Sequence, residues 1–170
     1  MKKLRDAVHY IINRQTDYTK LGKVKLNKIL WFADRERMYL SGESITNATY
    51  IKLPNGPVPK KMDNILNSLI KEHKIIPKDV FVGGYIQKSY ISIEDPDISH
   101  FNAYEISILD KYANEIIHKT ANQISEISHD ENWDIATIGE TIPIETVFLM
   151  DMCTPTDADI EEGRKFFESI

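Results

Sequence analysis

Cysteine is nearly missing from this chain: Cys153 is the single one in 170 residues. A lone thiol excludes an internal disulfide and every multi-cysteine zinc site, and it suits a reducing cytoplasm. Long apolar runs are missing as well. No stretch approaches the roughly 18 apolar residues that a membrane-spanning helix requires. The opening Met-Lys-Lys leads into an amphipathic pattern, not into the apolar core of a signal peptide. No Gly-x-Gly-x-x-Gly or Gly-x-x-x-x-Gly-Lys-Ser/Thr loop is present to cradle phosphate. Gly83-Gly84 lacks both a third glycine and a following helix, so it reads as a tight turn between strands. There is no His-x-x-x-His pair, no internal repeat and no low-complexity segment. What remains is an ordinary soluble composition, 42% hydrophobic and 28% charged. A chain of this size buries roughly 70% of its unfolded surface and needs no metal or disulfide staple. The expectation is one cytoplasmic domain over residues 1–170, with no cofactor, no metal and no membrane contact.

The net charge of −5 hides an asymmetry. Residues 1–80 carry 16 Lys and Arg against 8 Asp and Glu, whereas residues 81–170 carry 5 against 18. Either the two halves attract and fasten each other, or the acidic half meets a basic partner. Lys20, Lys23, Lys25 and Lys28 form the densest basic cluster, with Arg14, Arg35 and Arg37 around them. Lys25 and Lys28 lie three apart and share a helix face. Phosphate contact through that face, as in a DNA-binding regulator of a phage or mobile element, is the alternative function. The acidic half would repel DNA, which weighs against it.

Apolar spacing predicts helices over about 3–14, 22–40 and from the proline-rich loop to His73. Gly42 reads as the stop of the second, which is apolar over more than half its circumference and belongs at the centre of the core. Thr49–Leu53 is β-prone. Three prolines and an Asn-Gly pair in residues 54–59 read as a loop, with Pro59 in the first turn of the third helix. Residues 75–93 read as two or three antiparallel strands. Asn102 and Glu105 form a capping box that opens a long helix over about 103–127. A short helix around 130–137, a strand near 145–148 and a last helix from Asp157, capped by Thr156 with Asp159 at its third position, complete the pattern. The fold class is mainly α (α+β), with a small antiparallel β element after the third helix.

No catalytic set emerges. Cys153 has no lysine or arginine beside it to lower its pKa and reads as a small, inert thiol. His129-Asp130-Glu131 is compact, but adjacent helical residues point in different directions, so it is a poor metal cluster. A hydrolase built on His129 and its neighbouring acids would show a pH-dependent activity lost in His129→Ala. The acidic residues as a group read as a solvated face.

A composite pattern is more specific. Lys25-Leu26-Asn27-Lys28-Ile29-Leu30-Trp31-Phe32-Ala33-Asp34 is followed by Gly42, Ile45-Thr46, Tyr50-Ile51-Lys52 and Gly56-Pro57-Val58-Pro59. Ser128-His129-Asp130-Glu131-Asn132-Trp133 and Ile142-Pro143-Ile144-Glu145 come much later. In order and spacing, over about residues 4–147, this resembles the Panacea domain of SocA-like antitoxins, also described as phage-associated GepA-like proteins. The resemblance implies a non-enzymatic antitoxin that binds a cognate toxin directly. The family's SocA member acts as an adaptor that brings its toxin to a ClpXP-type protease. Some relatives add a DNA-binding or zinc module, for which this chain has neither length nor cysteines.

The family motif falls here on Lys28, Phe32, Ala33, Asp34, Tyr50, Lys52, Gly56, Pro57, Val58 and Pro59, and later on His129 and Trp133. Phe32 and Ala33 are expected in the core, and the Gly-Pro-Val-Pro loop as a scaffold turn ahead of a contact. Asp34 is expected to pair with Lys28 or Lys52. His129 and Trp133, four apart, are expected to lock the late helix onto that loop through Trp packing and an imidazole hydrogen bond. The other reading makes them a partner-facing anchor.

Overall fold

Leu4, Ala7, Val8, Ile11 and Ile12 repeat at helical spacing, and all five are buried on the first helix, α1 (Lys2–Asn13). The computed structural model describes residues 2–130, 133, 134, 136–151, 161 and 165. Cys153, the Thr156 cap with Asp159, Glu131 and nearly all of the expected last helix lie outside the described residues.

A single 3-10 turn (Tyr18–Lys20), capped by the Asp17 side chain, leads into α2 (Lys23–Ser41). Leu26, Ile29, Leu30, Trp31 and Ala33 are fully buried on α2. Apolar residues on so much of its circumference place it at the centre, against α1 and the elements that follow. It ends at Gly42, whose φ of +74° forms a left-handed cap donating to the Met38 carbonyl.

The proline-rich segment is not the plain loop its composition suggests. Tyr50–Leu53 forms β1, Pro54-Asn55 turns the chain, and Gly56–Pro59 returns as β2, antiparallel to it. Pro59 therefore ends a strand and is not in the first turn of α3 (Met62–Lys71). Proline cannot donate to a ladder, so it is tolerated on a strand only where its nitrogen faces away from the partner. Pro57 and Pro59 alternate with Gly56 and Val58, which puts both prolines on the outer edge of β2.

β3 (Ile75–Val82) and β4 (Tyr85–Ser92) form the expected hairpin around Gly83-Gly84, in register from Ile75↔Ser92 to Val82↔Tyr85. The expected long helix is two: α4 (Ala103–Ile117) and α5 (Ala121–Ile127). Asn102 and Glu105 do form a capping box on α4, and a second box, Thr120 with Gln123, restarts the chain as α5. Asn102→Ala is expected to cost about 1 kcal/mol, read as a lower urea midpoint with an unchanged slope.

Of the expected strand near 145–148 the structure makes a 3-10 helix, Ile144–Asp151. The strand lies earlier, as β5 (Thr141–Ile142), paired with β1 through Tyr50↔Ile142. One sheet therefore runs β2-β1-β5 and the other β3-β4. The helices carry the core, and the fold is mainly α with small antiparallel sheets.

The charge asymmetry has a structural counterpart. Lys2 pairs with Asp97, Lys3 with Glu105, Arg14 with Asp110, Arg35 with Asp130 and Lys74 with Glu94. Each joins a cation of the first 80 residues to an acid of the rest. The exposed ones are worth under about 1 kcal/mol apiece, so they orient the halves more than they stabilise them.

Candidate functional site

The Panacea-like residues converge on the seam between α2 and the β1–β2 hairpin. Lys28 is only 1% exposed, yet no carboxylate lies on its ammonium among the described residues. It donates instead to the outward carbonyl of Pro57 at 2.9 Å. Prolines remove the N–H groups from this outer edge, and the buried lysine takes up a carbonyl left there. Burial pushes the Lys28 pKa down to about 7. Gly56, at φ +93°, lets the backbone pass against Ser128 and Lys28, where a Cβ would stand 2.7 Å from Lys28 Nζ.

Asp34 does not pair with Lys28 or Lys52. Its carboxylate is fully buried and accepts from the Thr46 backbone N–H at 2.8 Å, the Thr46 hydroxyl and the Tyr50 hydroxyl at 2.7 Å. Three donors of neutral charge stitch α2 to the 42–50 loop and β1. Burial outweighs those bonds and raises the Asp34 pKa to about 6. Tyr50 also packs edge-on against Trp31, with centroids 4.9 Å apart.

Lys52 has a different role from the expected ion pair. Its ammonium sits 3.7 Å from the centroid of the Trp133 ring, and Trp133 stacks on His129 with centroids 3.9 Å apart. The late residues therefore do lock onto the hairpin, as expected, but by a cation–π and stacking column. Among the described residues no imidazole hydrogen bond contributes to that lock at Nε2, which is buried without a partner there, as is Trp133 Nε1. Burial, then the Lys28 charge, holds the His129 pKa below its ordinary value. Next to the column, Arg35 pairs with Asp130 and lies over Trp31, while Asp130 also accepts from the Trp133 N–H at 3.0 Å.

The reading of Lys25 and Lys28 as a solvent-facing basic face is corrected by their burial, at 8% and 1% exposure. Lys25 donates to the Ile117 carbonyl, Lys20 pairs with Asp17 and Lys23 with Asp63. The cluster that looked ready for phosphate is occupied by the protein's own groups. The motif residues singled out from sequence thus meet around one seam, apart from Phe32, which is half-buried and not in the core and stacks on Tyr112 with centroids 5.8 Å apart. Lys20, Lys23 and Lys25 lie away from it. Sequence reasoning missed Arg35 as a buried partner of Asp130, Thr46 as the main donor to Asp34, and Ser128 as the wall behind Gly56. Only Thr46 and Ser128 carried a signal, since both fall inside the composite pattern.

A cavity of about 330 Å³ opens beside the seam, lined by Val24, Asn27, Ile51 and Val58 with Lys23 and Lys60 also on its walls. Asn27, 4% exposed, leaves its Oδ1 unpartnered among the described residues. No helix among the described residues is long and apolar enough to cross a membrane.

The family model described as antitoxin SocA-like, Panacea domain, matches residues 26–134. That span begins on α2 and ends one residue after Trp133, so it encloses every contact of the seam. No curated protein and no solved structure matches the chain.

Proposed function

The chain belongs to the SocA-like antitoxin family that the Panacea domain defines, and we propose that it neutralises a cognate toxin by direct protein–protein contact, without catalysis of its own. The family supports an antitoxin role in general. The match over residues 26–134 is the observation that carries the reading. The seam supports the absence of catalysis: the charged ends of Lys28 and Asp34 are buried and held, the one by the Pro57 carbonyl and the other by Thr46 and Tyr50, while the Lys52 ammonium is capped by the Trp133 ring. On this reading the motif residues are the scaffold of one domain over residues 1–170, and recognition falls to surface outside them.

Part of the acidic half is already engaged with the basic half, so the docking surface is sought among the acids left facing solvent. Glu115 on α4, Glu126 on α5 and Glu145 on the 3-10 helix are exposed. Many toxins that act on nucleic acids or nucleotides are basic, and an acidic surface suits such a partner. Delivery of the bound toxin to a ClpXP-type protease is the finer form of the same proposal.

The first test is co-expression with the adjacent gene in the cytoplasm of a bacterial host. Rescue of growth supports neutralisation; persistent toxicity beside soluble chain overturns it. With the toxin in hand, Glu115→Lys combined with Glu126→Lys is expected to weaken binding about 10-fold or more while the unfolding curve stays in place. Unchanged affinity would move the interface elsewhere. Toxin half-life in cells lacking the protease separates delivery from simple occlusion.

A further inference from the structure

A second cluster lies apart from the seam, where α1 meets the segment joining β4 to α4. Asp6, Asp97 and His100 each offer one ligand atom, and these atoms lie within 4.8 Å of one another. Asp97 and His100 are exposed, whereas Asp6 is 6% exposed and its Oδ2 is buried with no hydrogen-bond partner among the described residues. An orphaned carboxylate oxygen costs the desolvation of a charged group with nothing in return. A second carboxylate beside it makes that worse, and burial together with Asp97 raises the Asp6 pKa. Among the described residues Lys2 is the cation that pairs with this cluster from outside it, 3.4 Å from Asp97 Oδ2 on a largely exposed side chain, and His100 Nε2 lies 3.6 Å from the same oxygen. Asp97 itself is held in place by the Ser99 N–H at 3.0 Å and hydroxyl at 2.6 Å.

We propose that Asp6, Asp97 and His100 form a site for a divalent first-row transition metal, with Zn²⁺ the best fit, that ties α1 to the 93–102 segment. A divalent ion satisfies the Asp6 oxygen and removes the repulsion between the two carboxylates at once. The donor set names the class. Two carboxylates with one imidazole suit Zn²⁺ or Mn²⁺, whereas Mg²⁺ and Ca²⁺ take oxygen ligands almost alone. Exposure of Asp97 and His100 provides the entry path, and water completes the coordination.

The probe is the metal alone: ZnCl₂, MnCl₂ and CaCl₂ titrated into the full, tag-free chain by calorimetry, with thermal unfolding in parallel. One Zn²⁺ per chain is expected, bound more tightly than Mn²⁺ and far more tightly than Ca²⁺. At a 100-fold excess over Kd the midpoint of unfolding should rise by about 5–10 °C. Asp97→Asn and His100→Gln should each weaken Zn²⁺ binding about 10-fold or more. Lys2→Ala, which frees Asp97 from its competitor, should tighten it. Asp6→Asn should abolish it; the two exposed variants keep the proposal decidable if the buried one fails to fold. No heat and no thermal shift at 1 mM Zn²⁺ (about the weakest affinity that would count as a site) overturns the proposal. So does Zn²⁺ binding of full strength in the Asp97→Asn, His100→Gln double variant, which would place the ion elsewhere on the chain.

Discussion

Gly56→Ala is expected to lower the unfolding free energy by about 4 kcal/mol, an exceptional loss for one methyl group. Gly56 has a φ of +93°, which costs an L-residue about 1–2 kcal/mol before any contact is counted. The new Cβ would then fall on Ser128 Oγ and stand 2.7 Å from Lys28 Nζ. Neither neighbour can yield cheaply. Ser128 is fully buried and donates to the Ser125 carbonyl at 2.7 Å, and Lys28 is held to the Pro57 carbonyl at 2.9 Å. Moving either one leaves a buried polar group unpaired, at about 1–3 kcal/mol. Gly42→Ala is the control, because Gly42 has a similar φ of +74° but open space where its Cβ would point. Its loss should be about 1–2 kcal/mol, the left-handed backbone cost alone. Urea titrations of the two variants side by side check the prediction. Equal losses would mean that the approach of Gly56 to Ser128 and Lys28 is not tight in solution.

The same residues show how far the sequence could be read. Features decided within a few positions were legible: the α1 and α2 stripes, the Gly42 stop, the Asn102–Glu105 box and the Gly83-Gly84 hairpin all rest on local geometry. Residues 56–59 misled because proline counts against a strand until the strand is known to be an edge, and edges are set by tertiary pairing. The long helix over 103–127 concealed its break because the apolar stripe runs on across it. Thr120 with Gln123 was the available warning. Lys25 and Lys28 read as surface because lysine is almost never fully buried unless paired. Here a backbone carbonyl, not a carboxylate, is the partner. Arg35 with Asp130, and Lys52 with Trp133, join residues 81 or more positions apart in sequence, and nothing local announces such a contact. The composite pattern still led to the right region, since its pieces are what the fold brings together.

Lys28 and Asp34, buried with no opposite charge against either among the described residues, predict an unusual pH profile: stability should pass through a minimum near about pH 6.5, where most proteins are near their best. Lys28 has a folded-state pKa lowered from 10.5 to about 7 by burial. Above pH 10.5 the lysine is neutral in both states and costs nothing. As the pH falls toward 7 the unfolded chain takes up a proton that the folded one refuses, so stability drops, by about 5 kcal/mol in all. Asp34 acts in the opposite sense, its pKa being raised from 3.8 to about 6 by burial. Below pH 4 it is protonated in both states. As the pH climbs through 6 the unfolded chain releases its proton more readily, and about 3 kcal/mol is lost. Both costs are near their full size between pH 6 and 7. The alkaline side is the cleaner one to measure. His9 and His129, with pKa values lowered mainly by burial, lose stability toward acid and blunt the rise expected from Asp34. Tyr10, Tyr50 and Tyr112, with pKa values raised mainly by burial, lower stability only above pH 10. Lys25, its pKa also lowered by burial, acts in the same direction as Lys28. Between pH 7 and 9.5 the more deeply buried Lys28 dominates, and urea unfolding should show a gain of about 3 kcal/mol. Lys28→Met, close in volume and without charge, should flatten that rise, while Asp34→Asn should leave it standing. A wild-type profile that falls from pH 7 to 9.5, or a rise of undiminished size in Lys28→Met, would mean that water or a counter-ion reaches the Lys28 ammonium in the folded chain; a small residual rise belongs to Lys25.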